Sequence, residues 1–234
     1  MLVGRSHLGT MSTGAAPLMV YLNTRNFFGT SVDNGTSWAD QTIAQIPVVK
    51  WAMKGLVMSG TKTFLAVPDG GYADDGIVEA TGNADGASMF WGVWPMPLKD
   101  DGTKILWTAV TRNSSSGRYV AISQGAYSAW SDNGQTWTRV DLPSNKNWMD
   151  VAWNGTVFCA IAYDGTGTVG HAATSTNGTS WTARTISTQG NWKAICVLGT
   201  KFIVIGQGVS KSMTSTDGTT WVEQTMTAGG WNDV

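Results

Sequence analysis

A segment of about eight residues recurs four times along the 234-residue chain, and it constrains the fold more than any other feature. The copies read SVDNGTSW at 31–38, WSDNGQTW at 130–137, TSTNGTSW at 174–181 and TSTDGTTW at 214–221. A degenerate fifth copy, NADGASMF, covers 83–90. Asn-Gly and Asp-Gly pairs favour tight hairpin turns, because both residues accept positive φ angles. We therefore expect a hairpin with a two-residue turn in each copy.

The turn glycines of the five copies lie 40 to 51 residues apart. A second tryptophan (Trp51, Trp148, Trp192 or Trp231) follows each complete copy and opens an apolar segment, which precedes a short turn and another apolar segment. Four strand-sized segments in a repeat of this length predict one blade of a β-propeller. We expect an all-β chain that forms a single five-bladed β-propeller with four antiparallel strands per blade.

The predicted blades divide the whole chain. Four of them are continuous and cover 46–97, 98–144, 145–187 and 188–230. The fifth combines 231–234 with 1–45, so that the N- and C-terminal segments share one sheet and close the ring. This sharing would remove the open strand edges that the two chain ends otherwise leave.

The composition agrees with an all-β fold and argues against several classes of partner. Its 29 glycines and 13 tryptophans suit turns and strands. Charged residues make up 13% of the chain and the formal net charge is −1, so the basic surface of a nucleic-acid binder is not indicated. No apolar segment approaches the roughly 20 residues of a membrane span, and the N-terminal sequence is a poor signal peptide. Cys159 and Cys196 lie in apolar segments, where buried free thiols are favoured over a disulfide.

The first copy matches the pattern S-x-D-x-G-x-[ST]-W in full, through Ser31, Asp33, Gly35, Ser37 and Trp38. This pattern resembles the Asp-box, or BNR, repeat of sialidase-type β-propellers. The copies and the apolar segments after them also resemble the Asp-box repeats common in bacteriophage tail and other virion proteins. In the remaining complete copies the matching residues include Asp132, Gly134, Trp137, Gly178, Trp181, Gly218 and Trp221.

We expect these box residues to be structural. Aspartate, serine and threonine beside an Asn-Gly turn accept hydrogen bonds from backbone N–H groups, so Asp33 and Asp132 are expected to hold the turns. In the family that the boxes resemble, the box lies on the outer rim, away from the ligand face. The repeated position of the box tryptophans favours packing between blades over the alternative, a set of sugar-stacking platforms.

The resemblance to sialidases does not extend to their active site. That family requires an arginine triad, a tyrosine paired with a glutamate and an acidic acid/base residue, whereas this chain has only two glutamates and lacks the Arg-Ile-Pro signature. His7 and His171 are isolated in segments rich in small residues, with no carboxylate pair beside them. We therefore predict a non-catalytic protein without a cofactor or a bound metal.

The favoured function is that of a structural or binding propeller in a tailed-phage virion, as a tail or particle component that recognises a host surface. The expected partners are other virion proteins and a cell-surface glycan, and the chain is expected to form a homo-oligomer in the particle. A lectin-like carbohydrate-binding module is the alternative, and a sialidase-type glycoside hydrolase is the second alternative.

Three connections, 68–82, 91–104 and 163–175, are expected on one face of the ring. Variable loops on a rigid scaffold are common binding surfaces, and exposed aromatic side chains offer a large contact area at low entropic cost. For Trp91 and Trp94, packing of an irregular blade is the alternative. The acidic residues match no calcium motif and are expected to be solvated. The candidate partner-binding residues are Tyr72, Asp74, Asp75, Trp91, Trp94, Asp100 and His171.

Overall fold

The computed structural model describes residues 19–22, 27–31, 39–42, 53–59, 63–68, 76–82, 89–163 and 169–226. All the regular secondary structure in these ranges consists of β-strands, and every strand pairing is antiparallel. The all-β architecture predicted from the sequence is confirmed. Within the same ranges there is accordingly no helix with the length and apolarity that a membrane span requires.

The strands form four sheets in which each strand pairs with its neighbours in the sequence. The first sheet contains β1 (Met19–Leu22), β2 (Phe27–Ser31) and β3 (Ala39–Thr42). The second contains β4 (Met53–Ser59), β5 (Thr63–Pro68), β6 (Gly76–Gly82) and β7 (Met89–Pro95). The third contains β8 (Leu106–Arg112), β9 (Tyr119–Ser131), β10 (Thr138–Trp153), β11 (Phe158–Tyr163), β12 (Gly170–Ser175) and β13 (Thr182–Ile186). The fourth contains β14 (Asn191–Leu198), β15 (Lys201–Gln207), β16 (Lys211–Ser215) and β17 (Val222–Thr225).

The six-stranded sheet contains two copies of one repeat. Its long strands β9 and β10 each pair with different neighbours along different parts of their length. β9 pairs with β8 through 119–124 and with β10 through 124–125 and 127–130. The Ser123 hydroxyl donates a hydrogen bond to the Tyr127 carbonyl at 2.8 Å, whereas residues four apart in an extended strand are separated by about 13 Å. The chain therefore bends sharply around Gly125, whose φ is +118°. β10 is divided in the same way, between a pairing with β9 and a pairing with β11 that begins at Asn147.

The repeats are called unit A (19–42), unit B (53–95), unit C (106–142), unit D (147–186) and unit E (191–225). In units B to E the first strand shifts its register at the same place, which marks a β-bulge. The shifts fall between Met53 and Gly55, Trp107 and Ala109, Trp148 and Asp150, and Trp192 and Ala194. By register, Met53 takes the position of the first-strand tryptophans in unit B, whereas Trp51 lies outside the described residues.

Apolar cores fill the gaps between neighbouring units. Each core combines two tryptophans of the later unit, one from its first strand and one from its box, with apolar side chains of the earlier unit. The pairs are Trp107 with Trp137, Trp148 with Trp181, and Trp192 with Trp221. The first-strand tryptophans are at most 2% exposed. Because these side chains bury large apolar areas between sheets, they hold each unit against the next.

Polar contacts also join the units. The Thr108 hydroxyl at the bulge of unit C donates to the Trp148 carbonyl of unit D at 2.9 Å. The backbone N–H of Ile195 in unit E donates to the buried Asp150 carboxylate of unit D at 3.0 Å. Cys159 is buried between units D and E, Cys196 is partly buried, and the two cysteines form no disulfide. The segments 1–18 and 227–234, on which the predicted shared blade depends, lie outside the described residues.

Candidate functional site

The connections between strands lie at opposite ends of the sheets. In the antiparallel units, the box segments and the turns between first and second strands lie at one end, called the box face. The connections between second and third strands, and those between units, lie at the other end, called the loop face. The two faces differ in how their backbone groups are satisfied.

On the box face, three boxes share the same hydrogen bonds. The glycine N–H donates to the hydroxyl of the serine three residues earlier, at 2.8 Å in the pairs Gly134–Ser131, Gly178–Ser175 and Gly218–Ser215. A side-chain oxygen of the residue before each glycine accepts two further backbone N–H groups, at 2.7 to 3.1 Å; these residues are Asn133, Asn177 and Asp217. The glycines have φ values of +77°, +75° and +69°.

Two expectations about the boxes were wrong. The strands are joined by six residues, as in 132–137, rather than by a two-residue turn, because side-chain oxygens satisfy the backbone N–H groups that a tighter turn would pair. Asp132 accepts none of these N–H groups, since Asn133 does so in its place. Of the first box, Ser31 ends β2, whereas Asp33, Gly35 and Trp38 lie outside the described residues.

Asp132 instead binds Arg118, the residue of unit C that reaches unit D. Both of its carboxylate oxygens accept hydrogen bonds from the guanidinium of Arg118, at 2.7 and 2.9 Å. The same guanidinium donates to the Asn177 carbonyl of unit D at 3.0 Å and stacks on the Trp130 ring at 4.3 Å. The hydrogen bond from Arg118 holds the pKa of Asp132 below its usual range. Arg118 therefore spans the gap between units C and D.

The structure places the predicted partner-binding residues in several environments. Tyr72, Asp74 and Asp75 lie outside the described residues. Trp91 and Trp94 belong to strand β7 rather than to a loop. The Trp94 side chain is half-buried and packs against the core between units B and C.

The connection after β7 is a compact turn. The Asp100 carboxylate pairs with the Arg139 guanidinium, which also donates to the Leu98 carbonyl at 2.6 Å and stacks on the Tyr127 ring. The Asp101 carboxylate accepts hydrogen bonds from the backbone N–H and the hydroxyl of Thr103, and these bonds lower its pKa. Asp100 thus already has a charged partner in unit C.

A pocket of about 280 Å³ opens on the loop face between units D and E. Its polar walls are the side chains of Tyr163, Gln189, Asn191 and Gln207. This volume lies just below the usual range of small-ligand sites, which is roughly 300–1,000 Å³. His171 follows the lining residue Gly170 in β12 and does not itself line the pocket.

Two glycines that line this pocket pack against Trp192. A Cβ atom at Gly170 would lie 2.4 Å from Nε1 of Trp192, and one at Gly190 would lie 2.6 Å from the same indole ring. Trp192 is itself fixed, because it is fully buried and its Nε1 donates to the Thr188 carbonyl at 3.3 Å. Any larger residue at either position would collide with a side chain that has no room to move.

One polar atom of the pocket is unsatisfied. Oδ1 of Asn191 is buried and accepts no hydrogen bond in the part of the chain that the structure describes. The Asn191 amide nitrogen is 3.4 Å from the Gln207 side-chain oxygen, which is a long contact. A buried acceptor without a donor costs about 1–3 kcal/mol.

Sequence patterns contain no strong signal for this pocket. Gln189, Asn191 and Gln207 belong to no motif, and they meet only because units D and E pack against each other. The single local signal is the Asn-Trp pair that opens the first strand in both units, at Asn147-Trp148 and Asn191-Trp192.

No family model matches the sequence, and no curated protein matches it either. Solved structures do match. A catalytically inactive histidine-to-alanine variant of virginiamycin B lyase from Staphylococcus aureus, with quinupristin, has a TM-score of 0.69 at 14% identity over 94% of this chain and 72% of that chain. A streptogramin B lyase has a TM-score of 0.68 at 12% identity over 97% and 74%. YCF48 bound to a D1 peptide has a TM-score of 0.50 at 15% identity over 89% and 77%.

The fold is that of a β-propeller. At these identities the likeness concerns the fold alone, and the neighbours' activities are not transferred with it.

Proposed function

We propose that the chain is a non-catalytic, five-bladed β-propeller of a tailed-phage virion that recognises a host-surface glycan through its loop face. Units A to E supply five repeats, and the chain termini would supply a further strand to unit A. The resemblance of the boxes to virion repeats supports the location, and the loop-face pocket supports the binding role.

The observation that carries this proposal is the loop-face pocket, whose lining includes the amide residues Gln189, Asn191 and Gln207. A sugar presents hydroxyl groups that donate and accept at once, which suits a lining rich in amides. Tyr163 adds an aromatic ring, with the Lys193 ammonium 4.8 Å from its centroid. A lectin-like module outside a virion remains the alternative, since the same pocket favours it.

The binding test compares two matched asparagines on an array of bacterial surface glycans. Asn191→Leu removes the unsatisfied acceptor, and we expect at least a tenfold loss of glycan binding. Asn147→Leu changes the equivalent position of unit D, which lies outside the pocket, and should leave binding unchanged. Equal binding by all three proteins, or no glycan bound by the native chain, would overturn the binding role. Mass spectrometry of purified particles tests the location, because a lectin outside the virion would be missing from them.

The lyase neighbours define a second test. One of them is described as inactive when a histidine is replaced by alanine. In this chain His171 is half-buried in β12, and His7 lies outside the described residues. We expect that incubation with quinupristin leaves that compound intact. Consumption of quinupristin that is lost in His171→Ala would replace the non-catalytic role with a lyase activity.

A further inference from the structure

A second cavity, of about 380 Å³, lies on the box face between units D and E. We call it the box-face groove. Most of its lining residues carry hydroxyl groups, and two are charged. The lining includes Thr174, Thr176, Arg184 and Asp217. Its volume falls within the usual range of small-ligand sites.

The groove exists because unit D lacks the side chains that fill the same gap between units C and D. There the guanidinium of Arg118 lies over Trp130 and binds Asp132 and the Asn177 carbonyl. Strand register relates each of these residues to one in the next unit. Arg118 corresponds to Val157, Trp130 to Thr174, and Asp132 to Thr176. Three short side chains thus replace an arginine, a tryptophan and an aspartate.

Arg184 brings a positive charge to the open groove. Its Nε donates to the Thr174 hydroxyl at 3.0 Å, which fixes the plane of the guanidinium. Neither of its Nη groups makes a hydrogen bond within 89–163 and 169–226. The corresponding residue of unit C is Val140, so this guanidinium belongs to the groove alone.

Asp217 brings the opposite charge. Its Oδ1 accepts hydrogen bonds from the backbone N–H groups of Thr219 and Thr220 and from the Ser215 hydroxyl. The two backbone bonds hold the pKa of this carboxyl below its usual range, so it is ionised at neutral pH. In the gap between units C and D the corresponding residue is Asn177, which is neutral.

We propose that the box-face groove binds a neutral saccharide. A sugar hydroxyl both donates and accepts, and the groove offers one fixed donor group, one fixed acceptor group and a set of hydroxyls that can do either. Hydrogen bonds from the charged groups would be the strongest of the contacts. The opposite charges disfavour a ligand with a net charge of either sign. Since no aromatic ring is among the described residues that line the groove, we expect a weak affinity, roughly millimolar.

This site lies on the opposite face from the pocket of the proposed function, and it does not depend on that function. The test titrates D-glucose, D-galactose and lactose into the native chain and follows backbone NMR shifts. We expect saturable shifts in 154–157, 174–184 and 216–220 with at least one of these sugars. Loss of glycan binding in Asn191→Leu should leave them unchanged, which separates the two proposals.

Two variants test the groove itself. The double variant Val157→Arg with Thr176→Asp places a pair equivalent to Arg118–Asp132 in the gap between units D and E. This pair should fill the groove and abolish the NMR shifts. Arg184→Met removes the unpaired donors and should weaken binding at least tenfold even if the double variant fails to fold. Arg118→Met, which empties the other gap without supplying an arginine at position 140, should gain no second site.

Three results would overturn the proposal. One is the absence of shifts with all three sugars up to their solubility limits. Another is unchanged binding in Arg184→Met. The third is a stronger response to sodium acetate or guanidinium chloride than to the sugars, which would show that the groove selects a charged ligand.

Discussion

The gap between units C and D has the same backbone arrangement as the gap between units D and E, but the side chains in the two gaps differ. In both, the box glycine of the later unit packs against the second or third strand of the earlier unit. A Cβ atom at Gly178 would lie 2.5 Å from Cγ2 of Val120, and one at Gly218 would lie 2.7 Å from Cγ2 of Thr174. In the first gap Arg118 spans the outer part, whereas in the second that part is the box-face groove.

The repeat therefore fixes the packing of each box against the preceding unit and leaves the neighbouring positions of Arg118, Trp130 and Asp132 free to vary between units. Serine, asparagine or aspartate, and glycine of the box make the same hydrogen bonds in units C, D and E. The residues at these neighbouring positions make none of these bonds, so they can differ between units without disturbing the hydrogen bonds of the box. Between units D and E, three short side chains stand in place of Arg118, Trp130 and Asp132 beside the open box-face groove.

The largest loss of stability is expected from a change at the box glycine, which packs in the same way in both gaps. Gly178→Val places a β-branched side chain at a φ of +75° and pushes its Cβ into Val120, so we expect a loss of about 3 kcal/mol or more. Gly199→Val is the matched control, because Gly199 has a φ of +64° and a Cβ atom there would meet nothing within 4 Å. It should cost about 1 kcal/mol. Chemical denaturation measures the free energy of unfolding of both variants. Equal losses would show that the packing of Gly178 against Val120 does not contribute to stability.

A smaller difference lies in the buried tryptophans of the two gaps. Nε1 of Trp181 donates to the Ser128 hydroxyl at 2.9 Å, whereas Nε1 of Trp221 is buried and has no hydrogen-bond partner among the described residues. The position that corresponds to Ser128 in unit D is Ala172, which packs in the same core as Trp221.

Exchanging these residues should exchange the hydrogen bond. Ala172→Ser supplies an acceptor to Trp221 and should stabilise the chain by about 1 kcal/mol, while Ser128→Ala should cost about 1–2 kcal/mol. Thermal denaturation of the two single variants measures both effects. A loss of stability in Ala172→Ser would show that the core around Trp221 has no room for a hydroxyl.

Much of the box structure could be predicted from the sequence, because it depends on residues that are adjacent in the chain. The positive φ of Gly134, Gly178 and Gly218 follows from the Asn-Gly and Asp-Gly pairs, and the spacing of the boxes predicts an all-β repeat. The residue that holds each turn could not be predicted, since Asp132 and Asn133 are both able to accept backbone N–H groups. Only the backbone path shows that Asn133 does so and that Asp132 points to Arg118.

The cavities could not be predicted for a different physical reason. Their walls come from two units, so residues such as Asn191 and Arg184 acquire their surroundings only when the sheets pack. Pattern matching also fails where the connection between units changes length: the connection from β3 to β4 is longer than that from β13 to β14, and the spacing of the tryptophans indicates Trp51 where the structure has Met53. Repeats identify what the units share, whereas the candidate sites lie where the units differ.

The smallest loss of stability is expected from breaking the Arg118–Asp132 ion pair, which lies beside the gap between units C and D. The Arg118 and Asp132 side chains are 24% and 59% exposed, so solvent screens the pair, and Asp132→Asn should cost less than about 1 kcal/mol at neutral pH. The folded pKa of Asp132 is lowered by Arg118. Its contribution is therefore fully present above the unfolded pKa, near 4, and is lost as the pH falls through the folded value. Melting temperatures of the native chain and of Asp132→Asn should converge as the pH is lowered from 6 to 2. A constant difference over that range would show that the Asp132 carboxylate contributes through packing rather than through its charge.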